Sequence, residues 1–146
     1  MNNHGTKAAV IGGALAGGVT LALLSPSSPA LAFDSGGLHL DLTVRSPATL
    51  VARGAAVDVP VDVNCNAQYA SLDVQLTERV GSRIASGYGY VSVACTGSPQ
   101  RLLVRIMASG DRAFSRGTAL ATASLGGCSE TICGGERSSV TIKITK

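Results

Sequence analysis

Residues that could carry nucleophilic or acid–base chemistry are scarce in this chain. It has two histidines, His4 and His39. A serine or cysteine nucleophile needs a base within hydrogen-bond reach, and His39 lies on the outward phase of the first predicted strand. Neither a Gly-x-Ser-x-Gly elbow nor a His-Glu-x-x-His motif occurs in the sequence. We therefore predict that the protein is not an enzyme and that His39 is an exposed polar residue.

A pair of carboxylates is the remaining route to catalysis, and Asp58 and Asp62 share one face of a predicted strand. Four strand residues separate them by ~13 Å. That exceeds the ~9.5 Å of an inverting glycosidase pair and is too far for both to bind one Ca²⁺. Asp62 with Asn64 could help to ligate an ion, but a solvated strand face is the simpler interpretation. The sequence therefore predicts no metal site and no cofactor.

The four cysteines predict two disulfides, because an even number in an exported chain is typical of cross-linking. Cys65 continues the alternation of inward valines that begins at Val57, and Cys95 follows Val91 and Val93 in the same way. Both thiols then point into a core, so we pair Cys65 with Cys95. Cys128 and Cys133 lie in a glycine-flanked loop that can close on itself, and we pair them with each other. Zinc is the alternative, but only one close cysteine pair exists.

Arginine is concentrated in one segment. Six arginines and one acid, Asp111, lie between Arg79 and Arg116. This asymmetry predicts a basic surface that attracts polyanions; solvated arginines that serve solubility are the alternative. We predict that four of these arginines and two nearby tyrosines bind a partner: Arg79, Arg83, Tyr88, Tyr90, Arg101 and Arg105.

Two further features could contribute to recognition. Tyr88 and Tyr90 stand two apart, on one side of a strand, where tyrosines can stack on sugar rings or bases. They could equally form cross-strand packing beside the neighbouring glycines. The loop from Cys128 to Cys133 is either a rigid recognition loop or a cap over one end of the fold.

The elements that must position these residues are strands. Apolar and polar residues alternate with period two in segments such as 38–44, 57–65 and 140–144, and no window keeps helical spacing for three turns. About seven short strands separated by turn residues predict an all-β protein, and we predict an immunoglobulin-like antiparallel β-sandwich. Pro60 predicts that its strand lies at an edge or contains a bulge.

The first 32 residues have the three parts of a secretory signal peptide. A short polar start carries Lys7, an uncharged apolar stretch spans 8–24, and Ala30-Leu31-Ala32 follows a Pro-Ser segment. We predict cleavage after Ala32, which leaves 33–146 as a single secreted domain. The 146 residues suit one ordinary domain, and 14% charged residues with a net charge of +3 do not indicate a nucleic-acid protein.

Three segments carry a resemblance to an uncharacterised family of small exported actinobacterial proteins: Gln75–Gly81, Ala94–Gln100 and Arg116–Ala121. The resemblance implies export; its motifs are structural rather than catalytic, and it brings no known activity. More loosely, the loop from Cys128 to Cys133 resembles the short disulfide loop of neocarzinostatin-type chromoprotein carriers, which are secreted β-sandwich proteins.

Together these observations predict a secreted, disulfide-stabilised binding or surface module without catalytic activity. Its predicted partner is an anionic cell-wall or extracellular polymer, with no integral membrane span after processing. A small-molecule carrier of the chromoprotein type and a secreted protease inhibitor are the alternatives.

Overall fold

The computed structural model describes residues 37–146, and this part of the chain is built from β-strands with no α-helix. The all-β prediction is therefore confirmed. The eight strands are β1 (Leu40–Val44), β2 (Ala48–Val51), β3 (Ala56–Cys65), β4 (Tyr69–Val80), β5 (Arg83–Val93), β6 (Gln100–Ser109), β7 (Gly117–Cys128) and β8 (Cys133–Thr145). A single 3₁₀ turn, Ala52–Gly54, joins β2 to β3.

The predicted signal peptide and its cleavage after Ala32 lie outside the described residues and stay predictions. Among residues 37–146, no helix is long and apolar enough to cross a bilayer.

The strand order is β1-β3-β2-β8-β7-β4-β5-β6, and β6 returns to pair with β3. The seven strands β2 to β8 thus form a closed ring. The remaining strand, β1, pairs with the edge of β3 that also pairs with β2. All pairs are antiparallel except β2 with β8. The sequence predicted about seven strands in an immunoglobulin-like sandwich; the structure adds β2, and the sandwich arrangement is not confirmed.

Pro60 explains why β1 and β2 are separate strands. β1 pairs with Val61–Cys65 and β2 with Ala56–Asp58, so the partner of β3 changes at the proline. A proline has no N–H to donate to a neighbouring strand. Its carbonyl still accepts a hydrogen bond from the Arg45 N–H at 2.9 Å. Pro60 therefore lies where β3 changes its partner on one edge. The prediction that its strand lies at an edge is wrong, because β3 is paired on both sides and its register with β6 runs unbroken from Ala56 to Val63.

The core is made by the inward position of every second strand residue, the period expected of a sheet with one buried face. Val57, Val59, Val61 and Cys65 of β3 are completely buried. They pack with the matching positions of the other strands, including Leu72, Leu76, Ile106, Leu125 and Ile142. Phe114, in the loop before β7, is buried among them at 4% exposure.

Glycines allow β5 to approach β6 closely. A Cβ on Gly89 would lie 2.6 Å from the carbonyl oxygen of Arg105 and 2.7 Å from Cδ1 of Ile106, and one on Gly87 would collide with the Met107 carbonyl. The inward positions of β5 are therefore restricted to glycine here. The alternate positions, Tyr88 and Tyr90, point outward and remain 55% and 59% exposed.

Candidate binding site

Both predicted disulfides are present. Cys65–Cys95 joins the end of β3 to the segment after β5, with a Cα–Cα distance of 5.0 Å and Cys65 fully buried. Cys128–Cys133 joins the facing ends of β7 and β8, where the Ser129 N–H donates to the Ile132 carbonyl at 2.8 Å. The first bridge lies in the core, and the second closes a tight turn at the surface.

A row of small residues crosses the outer face of the sheet next to this turn. The register aligns Ser92 of β5 with Ser71 of β4, Ser71 with Gly126 of β7, and Gly126 with Gly135 of β8. Four strands at a spacing of ~4.8 Å make this row about 14 Å long. Because these residues are serine and glycine, the row forms the floor of a groove, which we call the tyrosine trough.

Two exposed aromatic rings border the trough on opposite sides. Tyr69, aligned with Cys128 at the start of β4, is 72% exposed, and Tyr90 of β5 is 59% exposed. The Cys128–Cys133 bridge continues the wall on the side of Tyr69. The groove has a volume of about 660 Å³ and includes Tyr69, Ser71, Tyr90 and both cysteines of the bridge.

The row that contains Tyr90 supplies polar groups. Asp73 is aligned with Tyr90 and accepts a hydrogen bond from the Tyr88 hydroxyl. That bond raises the pKa of Tyr88, because ionising the phenol would remove the donated proton beside a carboxylate. On the same row, Arg137 donates through Nε to the Ser124 hydroxyl at 3.1 Å. Aromatic faces, hydroxyls and a carboxylate on one rigid surface suit a ligand with both flat and hydroxylated faces.

The predicted arginines of β6 lie elsewhere and are paired with acids of β3. Arg105 binds both oxygens of Asp58 at 2.8 and 2.9 Å. Arg101 binds both oxygens of Asp62 at 2.6 and 3.1 Å, and Arg45 of β1 adds a third bond to Asp62 at 2.7 Å. These pairs form because the register places Asp58 opposite Arg105 and Asp62 opposite Arg101. Their charges are therefore largely compensated within the protein.

A smaller groove of about 380 Å³ lies beside this network and is lined mainly by polar residues, including Asp41, Arg45, Asp62 and Arg101. His39 is exposed, and its Nε2 lies 3.5 Å from Nδ2 of Asn64. In residues 37–146, no three His, Cys, Asp or Glu side chains come together as metal ligands would.

The six residues predicted to bind a partner thus occupy three places. Tyr90 borders the tyrosine trough, with Tyr88 next to it; Arg101 and Arg105 lie in the ion pairs of β6; and Arg79 and Arg83 lie at the β4–β5 turn. The sequence analysis missed Tyr69, although its position could have indicated it. Tyr69 lies two and four residues before Ser71 and Asp73, so it shares their outward side of β4.

The ion pairs of Asp62 predict a loss of stability in acid. The hydrogen bond from Arg101 lowers the pKa of Asp62 from 3.8 to about 2. A carboxylate whose pKa is lower in the folded chain stabilises fully above its unfolded pKa, and that contribution disappears as the pH falls through the folded value. We expect the free energy of unfolding to fall by about 1 kcal/mol between pH 4 and pH 2 from this network, a typical size for a surface cluster.

Urea unfolding at several pH values measures this loss. The Asp62→Asn variant should lack this part of the decline, whereas Asp41→Asn, on the same outer face, should keep it. Parallel pH profiles for wild type and Asp62→Asn would contradict the assignment.

No family model matches the chain, and no curated protein matches it. Among solved structures, the chain is similar to AggA, the major subunit of aggregative adherence fimbriae type I from Escherichia coli. The identity is 11% over 75% of this chain and 95% of that chain, with a TM-score of 0.38. It is also similar to an AAF fimbrial structure from enteroaggregative E. coli, described with fibronectin binding and biofilm formation. Here the identity is 11% over 73% and 100%, with a TM-score of 0.37. Similarities of this size assign neither a family nor an activity.

Proposed function

We propose that this chain is a secreted, disulfide-stabilised binding module without catalytic activity, and that its tyrosine trough takes a glycan strand of an extracellular polymer such as a cell wall. One observation carries the proposal: Tyr69 and Tyr90 present their rings to solvent on opposite sides of a floor of serine and glycine.

The exposed rings of Tyr69 and Tyr90 suit the recognition of a sugar. A tyrosine ring offers a flat apolar face with a polar edge, which matches a sugar ring with its apolar face and equatorial hydroxyls. The hydroxyls of Ser71 and Ser92 lie between the two rings and can exchange hydrogen bonds with the same sugar. A trough about 14 Å long favours a chain over a small isolated molecule.

The trough is also rigid before any ligand arrives. Its floor and both tyrosines belong to paired strands, and the Cys128–Cys133 bridge fixes the end of β7 against β8. A preformed site loses less conformational entropy on binding than a mobile loop does. This rigidity supports binding as the function.

The surroundings of the trough support binding over catalysis. Asp73, on the same row of the sheet as Tyr90, already accepts a hydrogen bond from the Tyr88 hydroxyl. His39, the histidine of the described part, lies on the segment leading into β1, which belongs to neither the floor nor the walls of the trough. A hydrolase would need an acid and a base on the two sides of the bound chain.

Export is part of the proposal. Disulfides persist in oxidising compartments, and two of them join all four cysteines here. This agrees with the predicted leader and with the resemblance to exported actinobacterial proteins. As the scaffold we propose an immunoglobulin-like sandwich, with β5, β4, β7 and β8 in the layer that carries the trough and β1, β3 and β6 opposite.

The two alternative functions find less support. A small-molecule carrier needs an apolar cleft, but Leu72, Ile106 and Leu125 fill the space between the strands, and both grooves lie outside. A protease inhibitor would present an extended segment to the enzyme. The exposed Ile132 is instead held in a tight turn by hydrogen bonds with Ser129.

The proposal is tested with cell-wall glycan that has been stripped of its anionic polymers. The oxidised protein should bind this material in a depletion assay, and Tyr69→Ala or Tyr90→Ala should each raise Kd about tenfold, the equivalent of one lost aromatic stacking contact. Leu120→Ala is the matched control, because Leu120 is 50% exposed on β7, six residues from Gly126. Wild-type affinity in both tyrosine variants, with normal folding, would exclude the trough as the binding site.

A further inference from the structure

Three segments meet at the end of the molecule opposite the Cys128–Cys133 turn: the 3₁₀ turn Ala52–Gly54, the β4–β5 turn, and the loop 110–116 before β7. The Phe114 N–H donates to the Gly54 carbonyl at 2.8 Å, which joins the loop to the 3₁₀ turn. Arg83 at the start of β5 contacts Asp111 of the loop at 3.1 Å. We call this surface the arginine end.

Five arginines gather at the arginine end, although they are far apart in sequence: Arg53, Arg79, Arg83, Arg112 and Arg116. Four of them are exposed and Arg112 is half-buried. Two acids lie among them. Asp111 pairs with Arg83, whereas Glu78 is buried, and its two carboxylate oxygens accept the Ser115 N–H and hydroxyl at 2.8 Å each.

The positive charge of this surface is therefore mostly uncompensated. Within residues 37–146, Arg53, Arg79, Arg112 and Arg116 form no salt bridge. Nε of Arg112 is buried without a hydrogen-bond partner in the same part of the chain. By contrast, Arg101 and Arg105 on β6 are each held by a carboxylate. Arginines without acids on one surface attract anions, with an affinity that falls as salt rises.

The backbone at the arginine end is held in an unfavourable conformation. Ala52, Arg53 and Gly54 have φ values of 48°, 55° and 92°, and the left-handed region disfavours the first two because of their Cβ atoms. Two backbone hydrogen bonds keep the turn in place. The Phe114 N–H donates to the Gly54 carbonyl, and the Ala108 N–H donates to the Ala55 carbonyl at 2.8 Å. Strained backbone of this kind is concentrated at functional sites, and here it presents the exposed side chain of Arg53.

The side chains at this end suit a phosphate-bearing anion. Guanidinium groups bind phosphate oxygens through paired hydrogen bonds. Phe114 is buried, so within the described chain this end presents no aromatic ring for stacking on bases. Next to Arg83, Ile84 is a large exposed apolar side chain, but a single such residue is too little for insertion into a bilayer. A phosphodiester chain without bases fits these properties.

We propose that the arginine end is a second binding site, which takes an anionic phosphodiester polymer of the poly(glycerol phosphate) class. It lies at the far end of β4 from Tyr69, since Arg79 is ten residues further along this 12-residue strand. The two sites are therefore separate, and the proposal does not rest on the glycan site.

The test measures binding of the oxidised protein to immobilised poly(glycerol phosphate) at several salt concentrations. Log affinity should fall linearly with log salt, with about 0.7 of slope for each phosphate contact. The combined variant Arg53→Gln, Arg79→Gln, Arg116→Gln should lose at least tenfold in affinity at low salt and about 2 units of slope. The single Arg53→Gln variant should show a smaller loss in the same direction, and circular dichroism should show both variants folded.

Two matched variants separate this site from the others. The double variant Arg101→Gln, Arg105→Gln removes one positive charge per substitution, as the triple variant does, but from the ion pairs of β6. The Tyr90→Ala variant alters the trough instead. Both variants should retain wild-type affinity for poly(glycerol phosphate). Absence of binding, or unchanged affinity in the triple variant, would overturn the proposal. Tighter binding to duplex DNA or to anionic lipid vesicles at equal phosphate concentration would overturn the assigned ligand class.

Discussion

Replacing Cys65 and Cys95 together by alanine should lower the free energy of unfolding by about 3.5 kcal/mol, the chain-entropy value for a loop of this length. The bridge spans 30 residues of sequence, so its loss gives the unfolded chain much additional freedom. Cys65 is also completely buried against the valines of β3. For a domain with marginal stability, this loss is a large part of the total. Urea unfolding of the oxidised protein and of the variant measures it.

The second disulfide provides the control. Cys128 and Cys133 are only five residues apart in sequence. By the same loop-length relation, replacing both by alanine should lower the free energy of unfolding by about 2 kcal/mol. Because this bridge borders the trough, its loss should also weaken glycan binding, whereas the Cys65–Cys95 variant should bind normally under conditions where it is folded. Equal destabilisation by the two double variants would contradict the argument from loop length.

Replacing Glu78 by alanine should lower the free energy of unfolding by about 3 kcal/mol. The side chain is 2% exposed, and its carboxylate accepts two hydrogen bonds from Ser115. Without it the Ser115 N–H has no acceptor, a loss of about 1–3 kcal/mol, and a cavity adds to the cost. Thermal or urea unfolding measures the effect. Since Ser115 belongs to the loop of the arginine end, binding of poly(glycerol phosphate) should weaken as well.

Two further variants make this prediction specific. Glu136→Ala removes the same charge from an exposed position of β8 and should change stability by less than about 0.5 kcal/mol. Glu78→Gln keeps the volume but has one acceptor oxygen in place of two, so it should be intermediate. If Glu78→Ala were as stable as Glu136→Ala, Glu78 would not hold the loop in place.

Several features of the protein followed from local patterns. Alternation with period two predicted most of the strands, because a half-buried strand must place every second side chain in the core. The same phase placed Cys65 and Cys95 inward, and their bond is present. Pro60 predicted an edge strand or a bulge, whereas β3 is paired on both edges and only its partner changes at the proline. Tyr90 was recognised as an outward aromatic residue for the same reason of phase.

The sites themselves depend on contacts between distant segments. The six arginines between Arg79 and Arg116 look like one basic segment in the sequence. In the structure, Arg101 and Arg105 face acids of β3, whereas Arg79 and Arg83 lie with Arg53 at one end. The pairing of β3 with β6 decides this, since it joins residues about 40 positions apart.

By itself, the sequence therefore determined the all-β class, the two disulfides and the side of each strand that faces the core. The class, the inward faces and the Cys65–Cys95 pairing follow from alternation along the strands, and the Cys128–Cys133 pairing follows from its short glycine-flanked loop. Only the tertiary structure decided that the strands close into a ring, that Tyr69 and Tyr90 flank one trough, and that five scattered arginines share one end. The physical reason is that the phase of the alternation along a strand fixes which face of the sheet a residue occupies. The register and order of the strands fix which residues become its neighbours, and the packing of the whole core selects that register and order.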